Sequence, residues 1–202
     1  MIILPARPGR RLDAPRLIDF GGFLTPDSGG PMQRINRLGN RYALAITMPP
    51  VRGAAGRILV NRLIRGKMEG VRTNWPLDDF DPGTPNVANG SAIVIDGAGQ
   101  GGTTLAVMNV APRYAFREGQ PISLEISGQH YFDFVSAPAK AGADGKVSLQ
   151  LTLPLRKPPV TGSVLHVAKP MIEGFIVGSE IAWEQALSGY RENIQFEIQE
   201  AR

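Results

Sequence analysis

Glycine and proline divide this chain into short segments. The 202 residues include 24 glycines and 17 prolines, and apolar and polar side chains alternate in the stretches between them. Alternation with a period of two is typical of strands that bury one face, and frequent glycine and proline mark turns. The sequence therefore predicts a mainly β protein. Its 43% hydrophobic content is enough for a substantial core, and its length permits one large domain or two small ones.

The clearest strand is predicted in residues 146–155, where apolar residues from Val147 to Leu155 share one phase. A looser stretch is predicted between Pro170 and the last strand. Further strands are predicted at residues 41–48, 91–96, 103–110, 121–127, 131–136, 164–168 and 191–201.

One helix is predicted, in residues 54–68. An apolar stripe at helical spacing predicts which side faces a sheet. The stripe consists of Ala55, Leu59, Val60, Leu63, Ile64 and Met68, and the polar side consists of Arg57, Asn61 and Arg65.

The proline-rich segment 75–85 predicts a crossing between two domains. The short strands that follow, in residues 86–168, indicate a small barrel or sandwich. The simplest arrangement is an insertion. Residues 1–80 and 169–202 then form one domain that includes the helix, and residues 86–168 form a β domain inserted into it.

The net charge of +4 is unevenly distributed. Residues 1–72 contain 13 basic and 4 acidic residues, a net +9, which leaves 9 of the 22 basic and 14 of the 18 acidic residues for the remainder, a net −5. A basic segment suits nucleic acid, but the same asymmetry suits contact between the basic face of one copy and the acidic face of another. We favour the second interpretation, because the arginines are dispersed and are not interleaved with stacking aromatics.

The chain has no cysteine, which excludes disulfides, thiolate metal sites and cysteine nucleophiles. This composition fits a reducing cytoplasm. At the N-terminus a short apolar run precedes the basic cluster, the reverse of a secretory signal. No apolar run approaches the length of about 20 residues that a membrane helix needs. We expect a soluble protein without targeting information and without membrane anchoring.

The segment Asp27-Ser28-Gly29-Gly30-Pro31 resembles the nucleophile loop of chymotrypsin-like serine proteases. In those enzymes the histidine base and its carboxylate partner precede the serine in the chain. No histidine precedes Ser28, and only 27 residues do. We therefore interpret the segment as a turn.

A second motif, Gly97, Gly99 and Gly102, matches the glycine pattern of dinucleotide-binding loops. That pattern requires a helix to follow, whereas Thr103 and Thr104 begin a strand-like stretch. We expect a hairpin loop instead.

Two groups of side chains are candidates for metal or catalytic sites. The carboxylates of Asp78, Asp79 and Asp81 lack calcium-loop spacing, and we interpret them as a solvated linker. The other group is His130 with Asp133 and His166, and two histidines on separate strands are weak evidence for catalysis or zinc. We therefore predict no catalytic, cofactor-binding or metal site, and we do not expect an enzyme.

Four basic residues are candidates for docking a partner. Arg156 and Lys157 precede a rigid Pro158-Pro159 turn, which lowers the entropic cost of binding. Arg57 and Arg65 lie on the polar side of the predicted helix. The alternative for all four is a solvated surface charge.

Two regions resemble the distal tail proteins of long-tailed bacteriophages, which join the tail tube to the tail tip. One is DSGGPMQRINRLGNRYALAITMPP (residues 27–50), followed by the arginine-rich helix. The other combines REGQPISLEISGQHYFDFVSAPAKAGADGKVSLQLTLPLRKPP (residues 117–159) with the terminal YRENIQFEIQEAR (residues 190–202).

The resemblance implies a tube-like β-sandwich domain with one helix, interrupted by a small inserted β-barrel like the oligonucleotide/oligosaccharide-binding fold. It implies a homo-oligomeric ring, a hexamer, whose lumen lets DNA pass. The implied partners are the tail tube protein and the tail tip or hub proteins. The implied location is the virion, after assembly in the cytoplasm of the bacterial host, and no catalytic residue or cofactor is implied.

Two alternatives stay open. The chain could be another tail part, such as a tube or terminator protein. It could also be a module that binds carbohydrate on a host surface, with Tyr131, Phe132 or Trp183 as stacking residues.

Overall fold

A computed structural model describes residues 1–6, 9–35, 37, 39–77, 80–87 and 89–201. Within these residues the fold is mainly β with one α-helix, as predicted. The elements are β1 (Ile2–Ile3), β2 (Leu12–Ile18), β3 (Gly22–Leu24), β4 (Gln33–Ile35), β5 (Arg41–Thr47), β6 (Val51–Arg52), α1 (Gly53–Glu69), β7 (Val71–Asn74), β8 (Ile93–Ile95), β9 (Thr104–Met108), β10 (Ala115–Phe116), β11 (Pro121–Ile126), β12 (Gln129–Phe134), β13 (Ala139–Lys140), β14 (Val147–Gln150), β15 (Val164–His166), β16 (Met171–Ile176), β17 (Glu184–Gln185), β18 (Tyr190–Glu192) and β19 (Gln195–Glu200).

The first six-stranded sheet brings the beginning, middle and end of the chain together. Its strand order is β1-β7-β16-β19-β5-β2. The β1–β7 pair is parallel and the others are antiparallel. Strand β5 lies inside the sheet and is largely buried, whereas β2 is an edge strand and carries Pro15. A proline is tolerated there because it supplies no donor to the ladder.

Helix α1 packs on this sheet through Gly66 as well as through apolar residues. Its buried residues are Gly56, Leu59, Val60, Leu63 and Gly66. The predicted stripe was therefore partly wrong, because Ala55 is exposed and Ile64 and Met68 are 47% and 80% exposed. A Cβ on Gly66 would lie 2.1 Å from Val71 Cγ1. The helix can approach the sheet this closely only at a glycine. A pattern based on hydrophobic residues does not include glycine.

The second six-stranded sheet is antiparallel, with the order β12-β11-β15-β8-β9-β14. Its buried side chains, which include Ile95 and Leu105, form a second hydrophobic cluster together with Phe116 of β10. Within the described part of the chain, strand pairing does not close this sheet into the expected small barrel. Its two edge strands approach each other only through an isolated bridge between Val135 and Leu151.

Two strand predictions need correction. The strand predicted at residues 146–155 ends at Gln150, and Leu153 packs in the cluster of the first sheet, away from the second cluster that receives Leu149. The stretch after Pro170, predicted to be loose, contains β16. Its central residues Glu173 and Gly174 are buried without being apolar, so no alternating pattern revealed the strand.

Candidate functional site

A buried ion pair connects the segment after β14 to the last strand of the first sheet. The guanidinium of Arg156 donates from Nη1 to Oε2 of Glu200 at 2.7 Å and from Nη2 to Oε1 at 2.9 Å. The two side chains are 10% and 1% exposed. Backbone N–H groups of Tyr42 and Phe132 donate to the same carboxylate. This bidentate pair therefore holds the two sheets together at their junction.

A second buried carboxylate extends this junction. The hydroxyl of Tyr42 donates to Oδ1 of Asp133 at 3.0 Å, and the backbone N–H of Leu153 donates to Oδ2 at 3.2 Å. Burial raises the pKa of Asp133 to about 7, against the lowering effect of these hydrogen bonds and of Arg156. The same burial, with the nearby Asp133 charge, raises the pKa of Tyr42 far above its ordinary value.

Aromatic rings fill the space beside this network. Trp75 stacks on Phe132 with 3.8 Å between ring centroids, and Tyr42 and Phe134 meet both rings edge-on. Phe132 is 1% exposed, so it cannot stack on a sugar. Tyr131 is half-buried, with Arg156 above its ring. Of the three stacking residues considered for carbohydrate, Trp183 alone is exposed, at 38%.

The structure brings both histidines together with a glutamate that the sequence analysis did not consider. The rings of His130 and His166 lie 4.8 Å apart between centroids, and Nε2 of His166 is 2.8 Å from Oε2 of Glu125. Asp133, which the sequence analysis considered together with the two histidines, lies on the other face of β12. The sequence alone does not show that Glu125 joins the two histidines, because their proximity depends on the register of three strands.

The environment of this cluster keeps His130 neutral. Burial, together with the positive charge of Arg72, lowers the pKa of His130 to about 4. The hydrogen bond with His166 lowers the pKa of Glu125 below its ordinary value. The cluster therefore presents a neutral imidazole and a carboxylate on one face of the second sheet.

Exposed apolar side chains are concentrated on the β3–β4 hairpin. We call the group formed by Phe23, Leu24, Met32 and Ile35 the apolar arm; these side chains are 60%, 54%, 61% and 39% exposed. The preceding edge strand β2 adds Leu12 and Leu17, which are 62% and 45% exposed. Adjacent exposed apolar residues of this kind mark surfaces that contact another protein.

The four residues predicted to dock a partner do not form a single surface. Arg156 is turned inward to Glu200, so docking through its charge would require breaking that pair. Lys157 is exposed. Arg57 and Arg65 are exposed on α1, as the predicted polar side requires, and Arg65 is bound to Glu69 by two hydrogen bonds.

The sequence motifs that resembled catalytic or ligand-binding sites lie in turns and loops. Ser28 lies in an exposed turn in which the N–H of Gly29 donates to the Pro26 carbonyl. Residues 97–102 connect the antiparallel strands β8 and β9, and the side chain of Gln100 bonds the loop backbone. Asp81 accepts a hydrogen bond from the N–H of Gly83, whereas Asp78 and Asp79 lie outside the described residues.

No protein-family model matches the chain, and no curated protein matches it. Among the described residues, no helix combines the length and the apolar character needed to span a membrane.

Proposed function

We propose that this chain is a structural subunit of a phage tail, a distal tail hub protein whose copies form a ring between the tail tube and the tail tip. The observation that carries the proposal is the apolar arm. Four large apolar side chains on one short hairpin are costly to leave in water, since burying a side chain of this size is worth about 1.5–3 kcal/mol. Contact with another chain removes that cost.

A second copy is the occupant we propose for the apolar arm. The first sheet has two different open edges, β2 and β1, and each carries exposed apolar residues, Leu12 and Leu17 on one and Ile3 on the other. A ring requires such unlike surfaces, because each copy meets the next head to tail. The net charges of +9 in residues 1–72 and −5 in residues 73–202 add electrostatic complementarity to that contact.

The proposal includes the finer architecture. The first sheet with α1, from residues 1–80 and 169–202, is the tube-like ring-forming domain, and residues 86–168 are an inserted domain on its outside. The two hydrophobic clusters support this division in part, because most residues of the second cluster come from 86–168, while Phe132 and Leu153 of that segment pack in the first cluster. The bridge between Val135 and Leu151 supports a barrel-like curvature related to the oligonucleotide/oligosaccharide-binding fold. Lys157 and Arg57 are exposed and would contact the neighbouring tail tube and tail tip proteins, and Arg65 would do so by exchanging its pairing with Glu69.

Electron microscopy of the purified protein tests the ring. We expect closed rings with a central opening wide enough for DNA. The resemblance to distal tail proteins implies six copies in each ring. Particles that are uniformly monomeric at high concentration would argue against self-assembly. The genes beside this one test the tail assignment separately: a tape-measure gene and a tail-tip gene are expected, and a metabolic operon would contradict the assignment even if rings form.

A further inference from the structure

Strand register brings Glu125, His130 and His166 to one face of the second sheet. Glu125 on β11 lies directly opposite His130 on β12. His166 on β15 lies opposite Ser123, two residues from Glu125 along β11. Side chains two residues apart share a face of a strand, so three strands contribute one group each. The proposed assembly does not use this cluster.

The spacing of the three groups suits a common metal ion. Ligands stand about 2.0–2.1 Å from a tetrahedral zinc ion, which separates neighbouring ligand atoms by about 3.3 Å. Oε2 of Glu125 lies 2.8 Å from Nε2 of His166 and 3.7 Å from Nε2 of His130. These distances bracket the required value, and the ligand atoms of all three residues lie within 4.8 Å of one another.

A hydroxyl behind His130 can orient its ring. Oγ of Ser123 lies 3.4 Å from Nδ1 of His130 and accepts a hydrogen bond from the N–H of Met171 at 2.9 Å. A serine oxygen has two lone pairs, so it can also accept from Nδ1–H. That tautomer leaves the Nε2 lone pair directed to the side of Glu125, as metal-binding histidines require.

Charge and access also favour a cation. The charge of Arg72 acts on His130, but its Nε donates to buried Glu173 at 2.6 Å, which offsets part of that charge. Glu125 supplies the negative charge of the cluster. The side chains of Glu125 and His166 are 32% and 29% exposed, so an ion can enter from solvent and keep a water as its fourth ligand.

We propose that Glu125, His130 and His166 bind one divalent transition-metal ion, with zinc as the best match. Two imidazoles and one carboxylate form a ligand set common to zinc, and hard cations such as Mg²⁺ prefer oxygen ligands. The bound ion takes the place of the direct contact between Nε2 of His166 and Oε2 of Glu125. It ties β11, β12 and β15 together beside their contact with the first sheet.

Titration calorimetry of the full chain, without a histidine tag and after removal of metals, tests this site with Zn²⁺. We expect one ion per chain. Co²⁺ gives a second readout, because the visible absorption of a tetrahedral Co²⁺ site must arise from nitrogen and oxygen ligands in a chain without cysteine. Zn²⁺ should also raise the Tm of the wild-type chain.

The variants H166Q and E125Q change partly exposed ligands and should keep the fold, as circular dichroism can verify. Each should weaken Zn²⁺ binding by at least about 100-fold, more than the loss of an outer partner causes, and should abolish the Tm increase. The matched control is E184Q, an exposed glutamate on β17, which should bind like the wild type. The proposal is overturned if the wild type binds no Zn²⁺, or if H166Q and E125Q bind it as tightly as E184Q does.

Discussion

Arg156 and Glu200 form a bidentate ion pair, with Nη1–Oε2 and Nη2–Oε1 distances of 2.7 and 2.9 Å, at the junction of the two sheets. The adjacent Lys157 is exposed. Two cations next to each other in the sequence therefore have different roles. One neutralises a carboxylate that the chain buries, and the other remains in solvent.

Replacing Arg156 with methionine should destabilise the protein by about 3–5 kcal/mol, because it leaves the Glu200 carboxylate buried without a counter-charge. The matched variant Lys157→Met should change the free energy of unfolding by no more than about 0.5 kcal/mol. Urea unfolding followed by tryptophan fluorescence measures both. Equal effects from the two variants would show that the ion pair does not hold the junction.

The variant Asp133→Asn should change how stability depends on pH. The folded-state pKa of Asp133, about 7, lies above the ordinary value of 3.8. The folded state therefore holds a proton that the unfolded state has lost between these values, and the contribution of Asp133 to stability decreases as the pH rises from about 4 to about 7. Asparagine cannot titrate and lacks this contribution.

The measurement is the free energy of unfolding of wild type and Asp133→Asn at several pH values. Subtracting the free energy of unfolding of the variant from that of the wild type isolates the contribution of Asp133 from those of the other titrating groups. The difference should fall between pH 4 and pH 7 and stay constant above pH 8. A difference that is flat across the whole range would contradict a raised pKa.

The variant Gly174→Ala should destabilise the first sheet. A Cβ at this position of β16 would lie 1.9 Å from the carbonyl oxygen of Gln199 on the neighbouring strand β19. Because the obstructing atom is backbone, we expect a loss of about 3 kcal/mol or more. Gly101→Ala is the control, since a Cβ there meets nothing within 4 Å. A Gly174→Ala protein as stable as Gly101→Ala would show that the strands can separate at low cost.

Alternating hydrophobicity predicted most strands of the second sheet within a few residues, because their apolar residues face one core. It failed where burial is not apolar. Glu173 is buried with Arg72 as its partner, and Gly174 is buried because β19 lies too close for a side chain, so β16 had no periodic pattern. Phe134, the last residue of β12, packs against the cluster of the first sheet, and Leu153, which follows β14, packs within it.

The candidate sites are formed by residues that are distant from each other in the sequence. Arg156 resembled a surface cation because its partner Glu200 is 44 residues away. Similarly, Glu125 and His166 are 41 residues apart and meet only through the register of β11 and β15. Phe23 and Leu24 form no periodic pattern that would distinguish the apolar arm from a segment of the core. Only their exposure in the structure identifies the arm.

We propose that copies of this chain join through the apolar arm. The direct test is the molar mass of the wild type and of Phe23→Ser/Leu24→Ser, measured by light scattering at matched concentrations. Both replaced side chains are more than half exposed, so the monomer should keep its fold. The control Met68→Ser removes an 80% exposed apolar side chain from α1, away from the arm.

We predict that the wild type and Met68→Ser form a closed oligomer of one defined size, and that Phe23→Ser/Leu24→Ser remains a folded monomer at the same concentration. A wild type that is monomeric at every concentration, or a double variant that assembles as the wild type does, would contradict assembly through the apolar arm.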